Sequence, residues 1–257
     1  MINNNVYRSL GHAWWSEEEG TFAALRYFVH PARFGYLTRV LAEERMGGGP
    51  LRAALDVGCG GGFMAEDLAR AGFQVTGIDS AAETAGAART HAAVSELNIS
   101  YVAGIAEALP FPEVTFDIAI CCDVLEHVAD SGRVVGEVAR VLKPGGLFFY
   151  ETINRTTRSW LMAIQAMQEW RSTAFVEPCV HEWRRFLKPA ELVGILARNG
   201  LRNQETRGLS PRRNLVANWL DLRRRAQGKI TLRELGRRLA FRESGDTSVS
   251  YLGYAIK

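Results

Sequence analysis

The stretch LDVGCGGGFMAEDLARAGFQVTGID, Leu55 to Asp79, restricts the folds open to this chain more than any other. An apolar run ends in clustered glycines. A segment with helical spacing follows, then a second apolar run that ends on an acid. Two strands joined by a single helix run parallel, with the helix laid across the sheet. The alternation continues downstream. AALDVG (53–58), FQVTGID (73–79), ISYVAG (99–104), FDIAICC (116–122) and LFFYETI (147–153) read as strands. FMAEDLARAG (63–72) reads as a helix capped by Gly72. SAAETAGAARTHAAVSEL (80–97), with Ser80 as candidate N-cap, and SGRVVGEVARVLKPGG (131–146) read as two more. The implied class is α/β, a mostly parallel sheet with helices on both faces.

The flanks are more helical. PARFGYLTRVLAEER (31–45) is an amphipathic helix opened by Pro31 and broken by GGGP (47–50). After the fifth strand, NRTTRSWLMAIQAMQEWRSTAF (154–175) is an amphipathic stretch and KPAELVGILARNG (188–200) a helix. NLVANWLDLRRRAQGKITLRELGRRLAF (214–241) reads as one or two basic helices, and SVSYLGYAIK (248–257) as a closing strand. A net charge of +3 gives no reason to expect nucleic acid as a partner, but the charge is unevenly spread. Residues 201–245 carry twelve Lys/Arg against four Asp/Glu. Such a segment is either a solvated helix face or one drawn to anionic lipid or an acidic partner. The four cysteines, Cys59, Cys121, Cys122 and Cys179, show no CxxC spacing and read as reduced cytosolic thiols. The N-terminal run has no basic, then apolar, leader pattern, and no window approaches the ~18 apolar residues of a membrane span. The expectation is a cytoplasmic protein. SWLMAIQAMQEW and the Arg-rich segment permit peripheral contact with the inner face of a membrane. Nothing in the sequence sets the oligomeric state.

The glycine turn narrows the ligand. Glycines stand at 58, 60, 61 and 62, but Phe63 occupies the place where a dinucleotide fingerprint requires its last glycine. No P-loop lysine is present, so phosphate binding is poorly supported. Asp79, at the end of the second strand, suits the hydroxyls of a ribose. Asp56, before the turn, suits an ammonium group. A ribose and an ammonium without pyrophosphate is the profile of S-adenosylmethionine.

At this point the chain resembles the class I S-adenosylmethionine-dependent methyltransferases, through LDVGCGGG, VTGID, GIAEALPFPEVTFD and VLKPGG. The resemblance implies a Rossmann-like, seven-stranded sheet within a single domain over 1–257. Residues 1–46 would be an N-terminal helical cap, 51–153 the cofactor-binding core and 154–257 an acceptor-side half. It implies that Gly58, Cys59 and Gly60 line the methionine part and that Asp79 holds the ribose, with Ser80 beside it. Ile105, Ala106 and Glu107 would flank the adenine, and Cys122 would complete the set. The family commonly has an acid where this chain has Ile105. The flanks resemble, more narrowly, the O-methyltransferases of ubiquinone biosynthesis. AWWSEEEGTFAALRYFVHPARFGYL (13–37), CCDVLEHV (121–128), TINRTTRSWLMAI (152–164) and RRFLKPAEL (184–192) carry this. That resemblance implies that Arg33 contacts the cofactor, as a guanidinium suits the methionine carboxylate. The chain departs from that branch at residues 212–247, a basic helical insertion before the last strand.

The acceptor end lies after the fourth strand, in Asp123-Val124-Leu125-Glu126-His127. Three readings stand open there. Asp123, Glu126 and His127 could ligate a divalent ion such as Mg²⁺, which would lower the pKa of a catechol. His127 could act alone as general base, oriented by Glu126. Or the acid caps a turn and the histidine bonds locally. His181, in a loop before Trp183, is a second base candidate. Trp14, Trp15, Phe28, Trp160, Met162, Met167 and Trp170 are candidates for the wall of an aromatic pocket or for the core. The expected activity is methyl transfer to a small aromatic molecule, giving S-adenosyl-L-homocysteine. O-methylation of a phenol or catechol of a quinone precursor leads. C- or N-methylation of an indole in a secondary pathway is the alternative, and a catalytically silent cofactor-binding regulator is the non-enzymatic one.

Overall fold

A computed structural model describes residues 13–16, 20–46, 52–170 and 179–257. The GGGP break and positions 171–175 of the expected 154–175 stretch lie outside these residues. The strands are β1 (Ala53–Val57), β2 (Gln74–Asp79), β3 (Ile99–Ala103), β4 (Phe116–Cys122), β5 (Leu142–Ile153), β6 (Arg202–Ser210), β7 (Arg242–Ser244) and β8 (Ser250–Ile256). They form one sheet in the order β3-β2-β1-β4-β5-β8-β6-β7. Neighbours from β3 through β5 are parallel, whereas β8 is antiparallel to both β5 and β6. The sheet therefore has eight strands among the described residues, one more than expected. The extra strand is β7, three residues of the basic insertion that pair with the edge of β6. Three residues offer too little alternation to be read from sequence.

The principal helices are α1 (His30–Glu43), α2 (Phe63–Arg70), α3 (Ala82–Val94), α4 (Ser131–Val141), α5 (Pro189–Arg198), α6 (Leu215–Ala226) and α7 (Leu232–Leu239). The sheet's two faces are filled separately. Ile118 and Ile120 of β4 join a cluster with Tyr36, Leu37 and Val40 of α1 and Met64 and Leu68 of α2. Ala119 and Cys121, one residue out of phase, join Val134, Val135 and Val138 of α4 and Leu192 and Leu196 of α5 on the other face. The period of two along a strand produces this division.

Helix ends follow the sequence signals with two corrections. Gly72 ends α2 as expected. Its N–H donates to Ala69 O at 3.0 Å and the Phe73 N–H to Leu68 O at 3.1 Å, the paired bonds of a Schellman cap. Ser80, however, does not cap α3. The N-cap position is Ala81, whose N–H donates to Asp79 Oδ1 at 2.9 Å. And α4 stops at Val141, short of the expected 146, because Leu142 already pairs with Phe116 on β4. The next paired residue on β5 is Leu147, so Lys143–Gly146, with the donorless Pro144, bulges from the ladder.

The amphipathic stretch after β5 begins as a short α-turn, Thr157–Ser159, and widens into a π-helix over Trp160–Glu169. A second π-turn, Leu25–Val29, leads into α1. The basic insertion forms two helices, capped by Asn214, which accepts from the Ala217 N–H, and by Thr231, which accepts from the Glu234 N–H. Leu232, Leu235 and Leu239 of α7 pack on Ala23, Ala24 and Phe28 of the N-terminal cap. The fit is close. A Cβ on Gly236 would lie 2.6 Å from the Tyr27 carbonyl oxygen.

Candidate active site

Strand order reverses between β1 and β4, and the carboxyl ends of β1, β2, β4 and β5 meet there. Open α/β sheets bind ligands at such a crevice. The turn after β1 is built on left-handed glycines. Gly58 has φ 68° and Gly60 φ 51°. Any other residue would be strained there, and would also collide. A Cβ on Gly58 would stand 2.3 Å from Val124 Cγ2, and one on Gly60 2.4 Å from Trp14 Cη2. The Gly58 and Cys59 N–H groups both donate to Ile78 O, at 2.8 and 3.0 Å, tying the turn to the end of β2. There Asp79 accepts from the Gly60 N–H at 3.0 Å and the Ala81 N–H at 2.9 Å. A carboxylate offers about four acceptor sites, so two remain for hydroxyl donors. Burial raises the Asp79 pKa above its ordinary value while the two main-chain bonds oppose that rise.

Asp56 is buried at the end of β1, and its Oδ2 has no hydrogen-bond partner among the described residues. Burial pushes its pKa to about 7, against the pull of Arg33. A buried carboxylate oxygen without a donor is costly unless a ligand supplies one. Cys59 and Cys122 are buried, and burial raises both thiols well above their usual range. Neither is a nucleophile at neutral pH. Ile105 stands 54% exposed after β3, Ala106 packs against the core, and Glu107 accepts from the Ala129 N–H at 3.1 Å. Ser80 is exposed.

At the acceptor end the expected trio is separated by its own bonds. Asp123, left-handed at φ 54°, accepts from Arg33 Nη2 at 2.5 Å. Glu126, fully buried, accepts from Thr152 Oγ1 at 2.7 Å. His127 has neither as its hydrogen-bond partner, so Glu126 does not orient it. Among the described residues no three His, Cys, Asp or Glu side chains are grouped to hold a metal ion. The donors present do not fit the expected Mg²⁺ site. His127 lies instead beside His181, ring centroids 5.2 Å apart. Burial lowers the His127 pKa to about 3, with His181 adding to the effect, and burial lowers His181 to about 4. The His181 main-chain N–H donates to the buried Gln168 Oε1 at 2.9 Å, which fixes the loop to the π-helix. Its Nδ1 is buried without a partner among the described residues.

Arg33 is buried between two acids. Its Nε donates to Glu151 of β5 and its Nη2 to Asp123. Burial works against the charge, yet the Asp123 and Glu151 carboxylates hold its pKa raised. Burial likewise raises Glu151, and Arg33 opposes it. Sequence reasoning missed Glu151. The signal was present: an acid in the apolar run LFFYETI, at the carboxyl end of a central strand. It singled out Trp14 and Trp15 as pocket wall or core but did not place them on the glycine turn, where Trp14 covers Gly60 and Gly61 and Trp15 Nε1 donates to Gly61 O at 2.7 Å. Trp15 stacks on His91 at 3.5 Å. The expected aromatic wall is divided. Trp14 and Phe28 are core, while Trp160, Met162 and Trp170 are exposed.

Residues 55–150 match the family described as a methyltransferase domain. The ubiquinone biosynthesis O-methyltransferase of Klebsiella pneumoniae is 39% identical over 205 residues, covering 79% of this chain and 81% of that protein. That of Escherichia coli O9:H4 is 36% identical over 216 residues, covering 81% and 86%. The chain belongs to this S-adenosylmethionine-dependent methyltransferase family. A solved S-adenosylmethionine-dependent methyltransferase from Aquifex aeolicus shares the fold, with a TM-score of 0.59 at 15% identity, covering 100% of this chain and 99% of that one. The protein is therefore an enzyme that transfers a methyl group from S-adenosylmethionine. The open Asp56 Oδ2, the free acceptor capacity of Asp79 and the close-packed glycine turn fit that cofactor. Among the described residues no helix of this methyltransferase is long and apolar enough to cross a membrane.

Proposed function

We propose that this methyltransferase O-methylates a phenolic or catecholic hydroxyl of a small aromatic molecule. The observation that carries the reading is the enclosed His127–His181 pair beside the turn after β4, with His181 Nδ1 unengaged among the described residues. A phenol, with pKa ~10, must lose its proton as it attacks. S-adenosylmethionine, when bound, supplies a methyl group already activated on a sulfonium. Asp56 takes the ammonium and Asp79 the ribose hydroxyls, which fixes the line of attack. His181 accepts the hydroxyl proton at Nδ1 while the oxygen takes the methyl. Burial keeps both imidazoles neutral, so they enter as acceptors. Phenolate forming alongside offsets the desolvation that holds an imidazole's pKa down. The relatives named for ubiquinone biosynthesis O-methylation support an oxygen acceptor.

Transfer of labelled methyl to a panel of phenols, catechols, their fully O-methylated ethers and indoles tests this. Label should enter phenols and catechols and none should enter the ethers. Transfer to indoles with silent phenols would overturn the reading.

A further inference from the structure

Helix α7 belongs to the basic insertion, yet its apolar side faces the N-terminal cap. Leu232, Leu235 and Leu239 recur at intervals of three and four, so they form one stripe, and they are buried against Ala23, Ala24 and Phe28. The Arg233 guanidinium lies over the Tyr27 ring, 5.6 Å from its centroid. Strand β7 of the same insertion adds a second tie, through Glu243 to Arg39 of α1 at 3.0 Å. The cap carries these contacts on to the cofactor turn. Phe22, next to Ala23 on the short helix Thr21–Ala24, stacks on Trp14 with ring centroids 4.0 Å apart. Trp14 lies so close on the turn that a Cβ on Gly60 or Gly61 would stand 2.4 or 2.5 Å from its side chain. The Gly60 N–H in turn donates to Asp79 at 3.0 Å. Contiguous packing therefore joins the insertion to the acid assigned to the ribose hydroxyls.

We propose that Leu235 and Gly236 of α7 are positioning residues for the cofactor turn, acting through Phe22 and Trp14. Between the short helix Thr21–Ala24 and α1 lies the π-turn Leu25–Val29, an irregular winding that leaves the short helix to be placed by what it packs against. Helix α7 is that support. Gly236 permits the close approach because it has no side chain: a Cβ there would lie 2.6 Å from the Tyr27 carbonyl oxygen and 2.9 Å from Phe28 Cδ1. Its φ lies outside the left-handed region, so alanine suits the helix itself and the collision with the cap is what the substitution adds. The proposal holds whichever acceptor atom is methylated.

The test is calorimetry of S-adenosylhomocysteine binding to the full chain. Gly236→Ala and Leu235→Ala should each raise its Kd by roughly two- to thirtyfold, the range that packed networks carry between sites. The KM for S-adenosylmethionine should rise in step while kcat at saturating cofactor holds. Leu201→Ala controls for lost stability alone. Leu201 is buried just before β6, at the amino end of the parallel strands and away from the crevice, so its truncation should leave the Kd unchanged. Trp14→Leu tests the route. In that background Gly236→Ala should add nothing further to the Kd, because the path it acts through is already cut. The proposal is overturned by an unchanged Kd in both α7 variants, by an equal rise in Leu201→Ala, or by additive effects of Gly236→Ala and Trp14→Leu.

Discussion

At the cofactor end, Asp56, Gly58, Gly60 and Asp79 lie within one β-α-β unit and are fixed largely by main-chain bonds: Ile78 O holds two N–H groups, and Asp79 holds two more. At the acceptor end, Arg33, the Asp123–His127 turn, Glu151 and His181 come from four separate segments and are fixed by side-chain contacts, with Thr152 holding Glu126. The first arrangement depends on a local backbone path, the second on long-range packing. A ligand common to a large family suits a site specified by contiguous sequence. The acceptor, which varies, suits a site that several loops can remodel without disturbing the sheet.

The comparison breaks most sharply at His181. If the acceptor end performs proton transfer alone, His181→Ala should lower kcat by about 10²–10⁴-fold and leave the cofactor Kd unchanged by calorimetry. A parallel loss of cofactor affinity would mean that the two ends are not separable. Gly58→Ala is the reciprocal test. The left-handed conformation costs about 1–2 kcal/mol and the collision with Val124 about 1–3 kcal/mol more. Chemical denaturation should register the sum, and Val124→Ala added to Gly58→Ala should return the collision part only. Third, Asp79→Ala should raise the cofactor Kd by one to two orders of magnitude, the equivalent of ~1.5–3 kcal/mol in charge-assisted hydrogen bonds. An unchanged Kd would remove the ribose assignment.

The same division explains what could be read from the sequence. The β-α-β unit, Gly72 and Asp79 were legible because each signal is local: alternation, a cap glycine, an acid ending an apolar run. The partners of Asp123, Glu126 and His127 were not. Spacings of three and four permit one shared helical face, but Arg33 from α1 and Thr152 from β5 each engage one of the acids. Spacing reports which residues can meet and is silent on what arrives from elsewhere in the chain. The insertion was legible as basic helices. That α7 packs on the N-terminal cap, and that α6 buries Asp221 and exposes Trp219, depended on packing partners that periodicity does not name.

The smallest effect lies in pH, and it rests on Asp56. Burial raises the Asp56 pKa to about 7. With a raised carboxyl, the protonated form dominates below that value, and the ammonium of the cofactor favours the ionised one. Binding must then expel a proton at acid pH, so affinity falls as pH drops through 7. Between pH 7.5 and pH 6.0 the cofactor Kd should rise by roughly five- to tenfold, the range expected from one titrating group. The window stays below pH ~8, where an α-amino group itself begins to lose its charge. Calorimetry at the two pH values with Asp56→Asn provides the control. Asparagine keeps the shape and cannot titrate, so the Kd should be weaker throughout but flat with pH. A slope that survives in the asparagine variant would transfer the titration to another acid, such as Glu151, whose pKa burial also raises to about 7.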